Sequence, residues 1–185
     1  MIKIKDLFFA PFITEAQLLS RVNELGAEIN EDYRGKSPVL VAVLNGSFMF
    51  MSDICKAIDL PIGITFVKIA SYSGTQSTGK VRSLLGLECD LSGKDVIVIE
   101  DIVDTGKSMA YLLDLLGREN PRSVEIASLL LKPTALQENL RIRYLGFEIP
   151  DLFVVGYGLD YSGQGRNLRA LYQKTEIQSF NHKKN

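Results

Sequence analysis

Residues 96–109, VIVIEDIVDTGKSM, bring together two kinds of group that one ligand seldom uses at once. When ionised, Glu100, Asp101 and Asp104 only accept hydrogen bonds. Directly after them, Thr105-Gly106-Lys107-Ser108 has the glycine, amides and hydroxyls of a turn that cradles phosphate at a helix N-terminus. A nucleotide P-loop does not account for the pair. Its G-x-x-x-x-G-K-[ST] pattern requires a glycine where this chain has Asp101, and the acids would face the β and γ phosphates. A ligand with a phosphomonoester at one end and a vicinal diol at the other does account for it. Its phosphate would take the amides and hydroxyls of 105–108, and its two hydroxyls would donate to Glu100 and Asp101. A ribose 5-phosphate unit has that form.

The rest of the composition removes competing chemistries. The single histidine, His182, lies in the polar tail SFNHKKN, so neither a Ser-His-Asp triad nor a His-ligated zinc centre is expected. Cys55 and Cys89 have no metal-ligand spacing and read as reduced thiols. The N-terminus MIKIKDLFFAPFITEAQ lacks the features of a signal peptide, and no apolar run approaches the roughly 20 residues of a membrane span. The expectation is a cytoplasmic protein with no membrane partner. Lys plus Arg number 21 against 22 Asp plus Glu, a net charge of −1. No global basic field is available to hold a nucleic-acid backbone, so no nucleic-acid partner is expected.

These residues must be held by the elements around them. With 185 residues and 46% hydrophobic content, one domain spanning 1–185 is expected. Leu18, Leu19, Val22, Leu25 and Ile29 follow Thr14-x-x-Gln17 at helical spacing, which predicts an amphipathic helix over 14–29 opened by a capping box. After Pro38 come a buried strand (39–44), a tight turn at Asn45-Gly46 and a helix to about Ile58. Strands are predicted at 62–70, 95–100, 123–131 and 152–157, with a leucine-rich helix at 106–117. The polar stretch SYSGTQSTGKVRS, 71–83, has no periodicity and reads as either a functional lid or a disordered stretch. Alternating strands and helices predict an α/β fold, a three-layer α/β/α arrangement around a mainly parallel sheet. Ligands of such sheets bind beyond the carboxyl ends of the strands, which directs attention to the turns after 44, 70, 100, 131 and 157.

The run of aliphatic residues followed by E-D-x-x-D-T-G-x-[ST] resembles the signature of type I phosphoribosyltransferases, which bind 5-phosphoribosyl 1-pyrophosphate (PRPP). Further marks are similar to the hypoxanthine-guanine branch: LNGSFMF (44–50), SYSGTQSTG (71–79), SLLLKP (128–133) and GFEIPDLFVVGYGLDY (146–161). The resemblance implies that fold with a small hood built from the chain termini, magnesium as cofactor, PRPP and a 6-oxopurine as substrates, and a homodimer or homotetramer.

It also implies roles residue by residue. Asp104 is the general acid/base, Glu100 and Asp101 hold the ribose diol and bear on the metal, and Thr105, Gly106, Lys107 and Ser108 bind the 5-phosphate. Asn45 and Gly46 form the pyrophosphate loop, with a cis peptide between Leu44 and Asn45, and Arg166 is directed at pyrophosphate. Asn45 stands where the family usually has a basic residue. Lys132 donates to the purine's exocyclic oxygen, Phe153 stacks on the base, and Val154 meets its edge through the backbone. Asp160 contacts magnesium, and Ser71 and Tyr72 belong to the lid.

Other classes make different demands. A PRPP-sensing regulator that binds RNA needs a basic surface. Against an adenine or pyrimidine phosphoribosyltransferase stand Lys132, a donor that would meet adenine's amino group, and the segment GFEIPDLFVVGYGLD. A non-catalytic binding domain would not need Glu100, Asp101 and Asp104 together.

Overall fold

Each of the residues Val39–Val43 is buried, and a strand apolar on both faces requires a neighbour on each edge and a layer above and below. In a computed structural model that describes residues 1–70, 82–85, 87 and 89–176, that requirement is met by a six-stranded sheet. In chain order the elements are β1 (Ile2–Ile4), β2 (Leu7–Ile13), α1 (Glu15–Asp32), β3 (Val39–Leu44), α2 (Phe48–Ala57), β4 (Gly63–Ala70), β5 (Arg82–Leu85), β6 (Asp95–Val103), α3 (Lys107–Gly117), β7 (Ser123–Leu131), β8 (Tyr144–Glu148), β9 (Val154–Val155) and β10 (Leu171–Thr175).

The central sheet has the order β5-β4-β3-β6-β7-β8. Five of its strands are parallel, and β5 joins β4 antiparallel. Alternate residues of the strands feed two cores, as the pleat requires. On one face Leu40, Ala42, Ile97, Ile99 and Leu129 pack with Leu18, Val22, Leu25 and Ile29 of α1 and Phe50 and Ile54 of α2. On the other, Val39, Val41, Val96, Val98 and Ile126 pack with Met109, Leu112 and Leu116 of α3. The three-layer α/β/α architecture follows. The α1 N-terminus carries the capping box: the Gln17 N–H donates to the Thr14 hydroxyl, and the Thr14 N–H donates to Gln17 Oε1 at 3.0 Å.

A second, antiparallel sheet of order β1-β2-β10-β9 is built from both ends of the chain and forms the hood. Ile4, Phe9 and Val155 make its own small core.

Several elements differ from the sequence-based expectation: β1, β2, β5, β8 and β10 are strands that it does not include, and β5 begins within the stretch 71–83. The strand expected to end at Glu100 continues to Val103, so Glu100 and Asp101 are strand residues rather than turn residues. The strand expected over 152–157 shrinks to Val154–Val155 and belongs to the hood, because Gly156, Tyr157 and Gly158 all have positive φ and turn the chain away. β8 has no clean alternation to reveal it. YLGFE carries a glycine that the sheet needs, since a Cβ on Gly146 would lie 2.3 Å from the Leu129 carbonyl oxygen.

Candidate active site

The carboxyl ends of β3, β6 and β7 open into a cleft of about 430 Å³ beneath the hood. It is lined by Leu44–Gly46 after β3, by Glu100–Gly106 and Ser108 across the β6–α3 junction, and by Lys132 after β7. Leu152–Val154, Asp160 and Arg166 complete it from the hood side.

Glu100 and Asp101 stand at the floor. Asp101 is 8% exposed, and its Oδ1 accepts from the Ile102 N–H at 3.0 Å. It is pressed against the β3 loop, where a Cβ on Gly46 would fall 1.6 Å from Asp101 Oδ2, so only glycine fits there. Burial, then the charge of Asp101, push the Glu100 carboxyl well above the ordinary carboxylate range. Burial also raises Asp101, opposed by hydrogen bonding from Glu100 and the Ile102 amide. Two crowded carboxyls of this kind are relieved by donors or by a cation, which is what a diol and a hard metal ion supply.

Gly106 is the N-cap of α3, in the left-handed region at φ 83°, and no side chain caps the helix. Its missing Cβ leaves room for Leu136, Leu140 and Glu138, whose nearest atoms lie 2.9–3.1 Å from where it would be. The first-turn amides have no intrahelical acceptor, and with the hydroxyl of Ser108 at the cleft wall they are the kind of donors that can hold an anion. Thr105 and Gly106 line the cleft beside them. Lys107 does not; it is the exposed first residue of the helix, so its ammonium is not among the lining groups.

The opposite wall is held by an ammonium. The Lys132 side chain is 10% exposed, and its Nζ donates to Asp104 Oδ2 at 3.2 Å and Asp151 Oδ1 at 3.0 Å. Those two partners raise its pKa against the opposing effect of burial, which is the largest single influence. Phe153, 43% exposed, presents a ring to the cleft. It is braced from the hood by Tyr161, edge-on at 5.8 Å between centroids, and by the fully buried Phe9 at 6.0 Å. The Tyr161 hydroxyl in turn donates to Asp6 at 2.8 Å. Val154 is buried and pairs with Gln173 in the hood sheet.

Arg166 donates to the Gly158 carbonyl at 2.6 Å and pairs with Asp160 Oδ1 at 2.5 Å, while Asp160 Oδ2 accepts from the Gly163 N–H at 2.6 Å. A Cβ on Gly158, where φ is 102°, would come 1.9 Å from the Gly46 carbonyl oxygen, so hood and β3 loop touch backbone to backbone. The Leu44–Asn45 peptide is cis, and Asn45 lines the cleft. Among the described residues, no group of three His, Cys, Asp or Glu side chains is gathered to hold a metal; Glu100 and Asp101 adjoin, while the Asp160 carboxylate is occupied by Arg166 and Gly163. Ser71 and Tyr72 lie outside the described residues.

Sequence reasoning misses Asp151, Tyr161 and Gly158. Asp151 and Tyr161 sit inside quoted motifs, but their partners are distant in the chain. The φ required of Gly158 could be suspected only from its spacing to Gly156.

The cleft thus combines an acidic floor, a helix start with free amides and a cationic wall beside an aromatic ring. The phosphoribosyl transferase domain model matches residues 13–162. The chain belongs to the phosphoribosyl transferase domain family. It is 42% identical over 168 residues to the hypoxanthine-guanine phosphoribosyltransferase of Dictyostelium discoideum, covering 88% of this chain and 93% of that protein. It is also 42% identical over 159 residues to the hypoxanthine phosphoribosyltransferase of Salmonella typhimurium, covering 84% and 89%. Among solved structures it resembles a hypoxanthine phosphoribosyltransferase from Staphylococcus aureus with a TM-score of 0.86 and 42% identity, over 92% of each chain. The phosphoribosyltransferase fold therefore extends across the central sheet and the hood.

Proposed function

We propose that this phosphoribosyltransferase transfers the 5-phosphoribosyl group of PRPP to hypoxanthine or guanine, yielding IMP or GMP and pyrophosphate. The observation that carries the reading is Lys132, a nearly buried ammonium 3.2 Å from Asp104 in a cleft beside an exposed aromatic ring. An ammonium offers only donors. It suits the exocyclic oxygen of a 6-oxopurine and opposes the amino group of adenine, which would leave donor against donor.

In this mechanism the first-turn amides of α3 with Thr105 and Ser108 hold the 5-phosphate, and Glu100 and Asp101 accept from the ribose hydroxyls. Amides of the Asn45-Gly46 loop and Arg166 hold the pyrophosphate. A purine ring nitrogen bonds to the anomeric carbon as the carbon–oxygen bond to pyrophosphate breaks. Asp104 takes the proton released from ring nitrogen N7. The negative field of Glu100 and Asp101 has the sign that favours a cationic ribose ring. Phe153 stacks on the base, Val154 meets its edge, and closure by Ser71 and Tyr72 excludes the water that would compete with it.

Magnesium fits as an ion carried in on the substrate. Such an ion is held through one or two carboxylates plus phosphate oxygens, and Glu100 and Asp101 supply the former. When bound, it would offset the charge developing on pyrophosphate. Asp160, given over to Arg166 and Gly163, is available to it only by exchanging those partners. The chain acts as a single domain, 1–185, in the cytoplasm; among the described residues no helix is long and apolar enough to cross a membrane. Exposed Phe48, Ile64 and Phe66 support assembly into a homodimer or homotetramer.

The test is absorbance-monitored turnover with PRPP and magnesium, offering hypoxanthine, guanine, xanthine, adenine and uracil separately. Conversion of hypoxanthine or guanine with silence on adenine and uracil is expected. Silence on every base despite PRPP binding would overturn the reading in favour of a sensor.

A further inference from the structure

Lys132 has more partners than recognition of a purine oxygen requires. An ammonium has three donors. One goes to Asp104 Oδ2 at 3.2 Å and a second to Asp151 Oδ1 at 3.0 Å, which leaves a third. The two acids reach it from different elements, Asp104 from the end of β6 and Asp151 from the segment between β8 and β9. Local backbone bonds bring Asp151 there: the Ile149 N–H donates to the Leu131 carbonyl at 2.8 Å, next to Lys132, and the Leu152 N–H donates to the Pro150 carbonyl at 2.7 Å, closing a turn around Asp151. The residues that follow, Leu152 and Phe153, line the cleft.

We propose that Asp151 is a positioning residue that holds the Lys132 ammonium at the purine edge against the pull of Asp104. The proposal rests on the 6-oxopurine reading of the site. With one carboxylate on each side, the ammonium is balanced and its third donor is available to the base. With Asp151 neutral, the only charged partner left is Asp104. The ammonium then settles onto Asp104, and an incoming purine must break that pair before it can use either group. The side chain of Asp151 is 67% exposed, and an ion pair at a cleft mouth adds little to folding. Its position is therefore accounted for by recognition of the base rather than by stability.

The test is steady-state kinetics of the wild type, Asp151→Asn and Asp151→Glu with magnesium, varying PRPP and hypoxanthine or guanine in turn, alongside thermal unfolding of each. The asparagine variant is expected to raise KM for the purine about tenfold, the loss expected of one charge-assisted hydrogen bond. KM for PRPP should stay within about twofold and the melting temperature should not move, because nothing at the phosphate sites has changed. Asp151→Glu, which keeps the charge, should recover most of the purine KM. An unchanged purine KM in an active Asp151→Asn enzyme would overturn the proposal alone, as would a rise in both KM values accompanied by a lower melting temperature. A wild type inert on every base would overturn the 6-oxopurine reading and this proposal with it.

Discussion

β6 carries acids at both ends, and their surroundings are opposite. At the amino end the Asp95 side chain is 5% exposed and fully partnered: Arg122 donates at 3.0 Å and the Ser123 hydroxyl at 2.8 Å. At the carboxyl end Glu100 and Asp101 lie against each other, and the one near hydrogen bond from outside the pair is the Ile102 amide. Carboxylates on the same strand are thus given full partners at one end and few at the other. A buried acid without a counter-ion costs stability. Under the proposed function, the ribose diol would bring the missing donors.

Three substitutions press on this contrast, and the largest effect belongs to the carboxyl end. Asp104→Asn is expected to lower kcat by about 10²- to 10⁴-fold while the KM values change little, as for loss of a general base. Unchanged turnover in a stopped assay would remove Asp104 from proton transfer. Next is Asp95→Ala at the amino end, which should cost ~1–3 kcal/mol in urea unfolding and leave the kinetic constants alone. The loss stays below that of a fully buried pair because Arg122, 63% exposed, can turn to water. An activity defect beyond the stability loss would break the contrast.

The smallest effect is that of Glu100→Gln. Because the folded state raises the Glu100 carboxyl above 4.5, its contribution to stability is fully present below that value and is lost as pH climbs through the raised one. Glutamine removes that pH dependence. The substrate-free variant should therefore be more stable than wild type at neutral pH, while its KM for PRPP rises. Urea titrations at pH 4 and pH 7 would measure the difference, and a variant less stable at both values would contradict the account.

How much of this could be read from the sequence depends on the range of the interactions involved. The β6 strand, its acids, the glycine turn and α3 are contiguous, and each is signalled locally by an aliphatic run, a polar break and a helix start. The capping box at Thr14 and the strand Ser123–Leu131 are legible for the same reason. LFVVGY reads as a core strand because its apolar run says nothing of the positive φ at Gly156 and Tyr157 that hands it to the hood. β8 is hidden by a glycine whose purpose lies on β7. Lys107 enters the phosphate-loop pattern through its first-turn amide, while the exposed residue is not among those lining the cleft. Asp151 looks like an ordinary loop acid until Lys132, 19 residues away, is placed beside it. Pairings across that distance are set by the strand order, which local residue patterns do not encode.

The hood has a consequence for how the protein is made. β10 lies between β2, near the start of the chain, and β9, so that sheet cannot close until residues 171–175 have been synthesised. A nascent chain still on the ribosome can already have its phosphate loop and its acidic floor, since these need only β3, β6, β7 and their helices. It lacks the closed hood sheet that joins β2, which carries Phe9, to β9 beside Phe153. Chain order thus imposes an assembly order: the cleft can take shape on the central sheet first, and the hood closes over it only once β10 is present to join β2 to β9.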